Sequence, residues 1–177
     1  MRRAALLTLL GVAIGAAAAS WLLAGPSAIT PLVQVSFPRV DWIDRSELQD
    51  LMDAEAPIAI VDARSREEFE VSHLPGAHWG PEYVPDGSAV VVYCSVGWRS
   101  AEWADSAPPT VDVRNLEGGV FAWANEGRVL TSSAGPTRKV HAFGFPWSLM
   151  LAPNATPRDS RLREEPPRSR TPQRESQ

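Results

Sequence analysis

The chain has 177 residues, 44% of them hydrophobic, which suits one buried core with appendages rather than several domains. Its lone cysteine, Cys94, excludes an internal disulfide and a cysteine-rich metal site, and His73, His78 and His141 are too scattered to suggest a metal centre, so no metal or cofactor is expected. The formal net charge of −4 is unevenly spread: outside Arg2, Arg3 and the arginine-rich tail after Ala152, residues 4–151 hold nine basic and seventeen acidic side chains, and an acidic body argues against a nucleic-acid partner.

Residues 1–25, "MRRAALLTLLGVAIGAAAASWLLAG", open with two arginines and then carry no charge until Arg39. The apolar run from Ala4 to Ala24 is long enough to cross a hydrocarbon core of ~30 Å as a helix. A cleavable signal is the alternative, with Ala17 and Ala19 suited to a signal peptidase, but "WLLA" carries the run past that point, whereas signal cores span roughly 7–15 residues. The expectation is a transmembrane anchor with Arg2 and Arg3 in the cytoplasm and the rest outside it, periplasmic or extracytoplasmic, or else secreted after cleavage. Residues 26–38, with Pro26, Pro31 and Pro38, read as an extended linker to a domain over 39–130.

Within that domain, "DRSELQDLMDA" (44–54) predicts a helix capped by Asp44 or Ser46, with Leu48, Leu51 and Met52 on one stripe. "PIAIVDA" (57–63) predicts a buried strand, and "SREEFEVSH" (65–73) a helix capped by Ser65 with Glu67 and Glu68 near its positive end. "AVVVYC" (89–94) is a second strand, followed by the helix "RSAEWADSA", which Pro108 and Pro109 stop. "TVDVRNL" (110–116) is a third, leading through Gly118-Gly119 to a helix closing at Gly127, with Phe121, Trp103 and Trp123 at core spacing. Strands alternating with helices predict βαβ units and a mostly parallel sheet covered on both faces. From residue 131 regular structure fades, although "HAFGFPW" (141–147) offers aromatic surface by which 131–152 would dock on the domain. Residues 153–177, polar and holding five prolines, are expected to be disordered.

In an open α/β sheet, ligands bind beyond the carboxyl ends of the strands, at helix N-termini. Cys94 stands at such an end, and the loop "CSVGWRS" turns the chain into a helix with Gly97 allowing a tight path. If the N–H groups of Ser95 to Ser100 point inward they form a nest of partial positive charge, a setting that favours thiolate over thiol. The bland alternative is an inert cysteine buried at a strand end.

These residues resemble a single-domain rhodanese, or thiosulfate sulfurtransferase-like, domain from about Val40 to Gly127. The resemblance is carried by the helix "RSELQDLM", by "VDARSREEFEVSHLPGA", by the loop "VVVYCSVGWRSA" and by "NLEGGVFAW", in that order. It implies a small doubly wound α/β domain with a central parallel sheet. It further implies that Cys94 is the sulfur-accepting nucleophile, that Ser95, Val96, Gly97, Trp98, Arg99 and Ser100 cradle it, and that Asp62 and Arg64 brace the loop. His73 matches a structural histidine rather than a base. The partners implied are a small-molecule sulfur donor such as thiosulfate, which Arg99 would attract, and a thiol or cyanide acceptor. Related phosphatases and arsenate reductases place five residues between cysteine and arginine; here Cys94 and Arg99 have four between them, which argues against phosphate chemistry. The chain is short between "GAHW" and "AVVVY", so the helix usual there is missing or reduced to a turn. Trp98 is bulky enough to wall or narrow the pocket. A non-catalytic binding module and a thiol redox sensor are the other readings.

Overall fold

The computed structural model describes residues 25–144 and 147–155. The expected membrane anchor or signal, residues 4–24, lies outside the described residues, as do 156–177 of the expected tail. Among the described residues no helix is long and apolar enough to cross a membrane.

Five parallel strands form the central sheet: β1 (Asp41–Ile43), β2 (Ile58–Asp62), β3 (His78–Trp79), β4 (Ala89–Tyr93) and β5 (Val113–Leu116), in the spatial order β1-β5-β4-β2-β3. β2 and β4 run side by side from Ile58 opposite Ala89 to Asp62 opposite Tyr93. Because β3 and β4 flank β2 on opposite sides, the winding direction reverses between β2 and β4, and a crevice opens beyond their carboxyl ends. The alternation along these strands sends Ala59, Val61, Val90 and Val92 to one face, while Ile60, Val91 and Tyr93 join the larger core on the other.

The helices begin where the side chains provide caps. Helix α2 (Arg45–Asp53) starts at Asp44, whose carboxylate accepts the N–H groups of Ser46 and Glu47 at 2.7 and 2.8 Å. Helix α3 (Arg66–Val71) starts with a capping box in which Ser65 and Glu68 each accept the other's backbone N–H. Helix α4 (Trp98–Ser106) follows β4, and α5 (Gly119–Asn125) follows β5. Between β3 and β4 only a 3-10 turn, Gly80–Glu82, remains.

One expected segment is different. Residues 26–38 are not an extended linker: Pro26–Ile29 form a 3-10 helix that runs into α1 (Thr30–Ser36). Pro26 and Pro31 sit within the first two positions of these helices, where a missing N–H costs nothing because it would be unpaired anyway. Ile29 and Val33, four residues apart, present one face to the core and are buried to 4% and 0% exposure. The domain therefore begins before residue 39.

At the other end a short antiparallel hairpin, β6 (Leu130–Ser132) and β7 (Gly135–Thr137), stands where regular structure was expected to fade. The chain then packs back on α5: the Asn125 amide donates to the Met150 carbonyl and its oxygen accepts from the Ala152 N–H, both at 2.7 Å. Val140 donates its N–H to the carbonyl of Ala155, a fully buried residue, so residues 153–155 belong to the folded body rather than to the tail.

The burial of α1 leads to a direct test. Val33→Asp would place an unpaired carboxylate in the core and lower the unfolding free energy by more than about 3 kcal/mol. A linker residue would change it by no more than about 0.5 kcal/mol; chemical denaturation of the two proteins distinguishes these outcomes.

Candidate active site

The sulfur of Cys94 lies one residue beyond β4, and the chain turns there through Gly97, whose φ of +101° is one that a β-carbon disfavours. The turn brings the Gly97 N–H to 3.2 Å from Sγ, immediately before the first turn of α4. The partial positive charge of that helix end therefore faces the sulfur. On the opposite side of the loop, Asn115 of β5 donates its amide to the Gly97 carbonyl at 2.8 Å and fixes the turn.

The Gly118-Gly119 pair grips the same loop. Both have positive φ, and a β-carbon on Gly119 would lie 2.4 Å from the carbonyl oxygen of Cys94. Without it, the first turn of α5 donates the Val120 N–H to the Cys94 carbonyl at 2.9 Å and the Phe121 N–H to the Ser95 carbonyl at 3.1 Å.

Beyond the sulfur is a cavity of about 400 Å³ lined by Cys94, Ser95, Val96, Trp98 and Arg99 together with Ile29, Leu32, Phe143 and Trp147. Cys94 itself is only 1% exposed. A larger cavity of about 500 Å³ lies against the start of β5 and the end of α4, lined by residues such as Arg39, Asp105 and Val113, away from Cys94. The Trp98 ring forms one wall, held edge-to-face against Phe37 at 5.4 Å between centroids. The segment expected to be a linker thus builds part of the site, since Ile29, Leu32 and Phe37 all come from it.

Three of the five N–H donors of Arg99 are already engaged within the protein. Its two terminal nitrogens donate to the two oxygens of Glu68 at 2.8 and 3.0 Å, one of them also donates to the Ser95 hydroxyl at 3.0 Å, and the Phe143 ring covers the guanidinium at 4.7 Å. Burial alone would lower the Arg99 pKa, but hydrogen bonds to Glu68 and attraction to Cys94 and Glu68 raise it, so the charge is permanent and already engaged. Burial would push the Glu68 carboxyl up; hydrogen bonds from Arg99 and from the Ser65 N–H overcome this and hold it at about 2. Glu68, expected only to favour the start of α3, is the site residue least visible in the sequence. It stands 31 positions from Arg99, a separation that closes only when the sheet brings α3 beside the loop after β4.

The remaining expected residues stand behind this first layer. Ser100 is fully buried, with no hydrogen-bond partner for its hydroxyl among the described residues, and does not line the cavity. Asp62 and Arg64 form a fully buried ion pair, 2.6 Å at its closest, which also ties the Tyr93 hydroxyl to Asp62 at 2.7 Å and the Ser72 carbonyl to Arg64 at 2.6 Å. They brace the residue before Cys94 rather than touching the cavity. Burial and the neighbouring Asp62 carboxylate push the Tyr93 hydroxyl well above its ordinary pKa, so it stays a neutral donor. His73 is structural: it bridges to Thr131, stacks on Phe69 and is hydrogen-bonded through Nδ1 to the Phe69 carbonyl. Among the described residues no group of histidine, cysteine or carboxylate side chains could hold a metal.

Residues 44–126 match the family model of the Rhodanese-like domain. The chain is 30% identical over 92 residues to the probable adenylyltransferase/sulfurtransferase MoeZ of Mycobacterium tuberculosis, an alignment that covers 45% of this chain and 24% of the relative. It thus spans about a quarter of the length of the curated relatives it matches. The crystal structure of a thiosulfate sulfurtransferase from Pseudomonas aeruginosa superposes with a TM-score of 0.52 at 26% identity, over 71% of this chain and 26% of that one.

The Glu68 clamp predicts an acid transition. A carboxyl whose folded pKa is depressed stabilises the fold fully above its ordinary value of 4.5, and this contribution disappears as pH falls towards 2. Between about pH 5 and about pH 2.5, wild type should therefore lose stability relative to Glu68→Gln by on the order of 2–3 kcal/mol, read from denaturation curves at each pH.

Proposed function

We propose that residues 44–126, a rhodanese-like domain, move sulfane sulfur from a donor to an acceptor through a persulfide on Cys94. The observation that carries this reading is the placement of the Cys94 sulfur at the start of α4, with the Gly97 N–H directed at it and an open cavity beyond. With thiosulfate, the donor expected from the sequence, the Cys94 thiolate attacks the outer sulfur, the S–S bond breaks and sulfite leaves. The terminal sulfur of the persulfide is then attacked by a thiolate or by cyanide, and the Cys94 thiolate departs. The helix end and the Gly97 N–H stabilise negative sulfur before and after each transfer, so the same donors serve both half-reactions. Burial of Cys94 speaks against the redox-sensor reading in its intermolecular form, since a residue 1% exposed leaves the thiol of a folded partner no approach except through the cavity.

The experiment is mass spectrometry of the full chain after incubation with thiosulfate and, separately, with inorganic polysulfide. Wild type gains the mass of one sulfur atom, released again by cyanide, and Cys94→Ser gains none. Absence of an adduct with either donor on folded protein removes the sulfurtransferase reading.

We further propose that the apolar run 4–24 anchors the chain in a membrane with the domain outside the cytoplasm, or directs its secretion if cleaved. An anchored chain stays in the pellet after alkaline carbonate washing and is released by detergent; a cleaved one is soluble and lacks its N-terminal residues; a soluble chain that retains residues 1–25 contradicts both.

A further inference from the structure

We propose that the natural sulfur partners of Cys94 are thiols and persulfides with an apolar body, R–SH and R–S–SH, rather than thiosulfate and cyanide; this rests on the sulfur-transfer reading above. The cavity over the sulfur is walled by Ile29, Leu32, Val96, Trp98, Phe143 and Trp147, and its volume of about 400 Å³ is that of a small-molecule site. Leu32, Trp98 and Phe143 keep 56%, 39% and 47% of their surface exposed around it, large apolar groups for which the described residues provide no cover.

The electrostatics agree. Arg99 is the one charged side chain among the described residues lining the cavity, and Glu68, Ser95 and Phe143 already occupy it. A dianion entering here would leave water for an apolar wall with its counter-charge neutralised beside a carboxylate, which is unfavourable. A thiol or persulfide, at most singly charged, loses less on desolvation than a dianion, and its apolar body gains from covering the wall.

The chemistry balances without an oxidant. The Cys94 thiolate attacks the outer sulfur of R–S–SH; a new S–S bond forms as the old one breaks, R–S⁻ leaves, and the proton stays on the transferred sulfur. In the second step R′–SH gives its proton to solvent, where the released R–S⁻ can take one up, and R′–S⁻ attacks that sulfur, giving R′–S–SH and regenerating the Cys94 thiolate.

The test loads the full chain in detergent with inorganic polysulfide, removes the excess, and follows discharge of the Cys94 persulfide by unbranched alkanethiols of increasing length. Each rate is divided by that of the same thiol with a low-molecular-mass persulfide in the same detergent, which removes intrinsic reactivity and partitioning. The normalised rate should rise by roughly three-fold per added methylene over the first few. The rise should flatten in Phe143→Asn and in Leu32→Asn, two exposed positions where folding is unthreatened. Glu68→Gln, by releasing Arg99, should increase loading by thiosulfate about ten-fold relative to loading by an alkyl hydropersulfide. Normalised rates independent of chain length, which a cavity filled by this chain's own residues 4–24 would also give, overturn the proposal while leaving sulfur transfer intact. Failure of wild type to load with any donor overturns sulfur transfer itself.

Discussion

The site depends on the close approach of the Gly119 backbone to the carbonyls of Cys94 and Ser95. A helix leaves its first N–H groups without partners inside the helix, and the domain uses two such ends in opposite ways. The start of α5 donates to the two carbonyls and holds the loop by its acceptor side. The start of α4 presents the Gly97 N–H to the sulfur. This arrangement requires residue 119 to have no β-carbon, because one would stand 2.7 Å from the Ser95 oxygen and closer still to that of Cys94. With the carbonyls engaged by α5, the donor side of the loop is the side left to meet the sulfur.

Glu68 makes the second connection. One carboxylate accepts the Ser65 N–H that closes the capping box of α3, the Ser95 hydroxyl and two bonds from Arg99. The start of α3 and the active loop are thereby joined through a group only 3% exposed. Such a clamp is costly to break from either side, since removing one partner leaves a buried charge uncompensated. It also changes what Arg99 does: the guanidinium orders the loop and adds positive charge near Cys94, but its hydrogen bonds are directed at Glu68 and Ser95. Rigidity at the sulfur and recognition of an anion are competing uses of one side chain, and the geometry favours the first.

Much of the frame was legible in the sequence because its signals are local. The caps at Asp44 and Ser65, the β-branched runs of β2 and β4, and the proline stop after α4 each act within a few residues. The stretch 26–38 was misread because proline carries two meanings, a break inside a helix and a favoured first residue at its start, and only packing decides between them. Ile29 and Val33 supply that packing, a spacing too short to register as a period in a segment with three prolines. The loop around Cys94 announces a helix start after a strand, and its motif points to the cysteine proposed as nucleophile. Only Val96 and Trp98 of the apolar wall appear in the motif, since Ile29, Leu32, Phe143 and Trp147 lie roughly 50–65 positions from Cys94 and meet it only after both ends of the chain fold back on the domain. Glu68 was visible as a helix-start carboxylate, while its partner across the sheet was not.

Burial and reactivity at Cys94 are compatible for a geometric reason. The residue is nearly inaccessible as a whole, yet its sulfur borders a cavity with a mouth, so a reactant has to insert a narrow group rather than lay a surface on it. A thiol or persulfide on a slender body meets this condition, whereas the side chain of a folded partner does so only from a protruding segment. In the proposed transfer the apolar wall has a further effect on a loaded sulfur. Ile29, Val96 and Trp147 offer water no hydrogen-bonding partner there, and the helix end and Gly97 N–H would provide the stabilisation that water otherwise gives to a departing thiolate. The enclosure therefore slows loss of sulfur to solvent without slowing transfer to a reactant that fills the space.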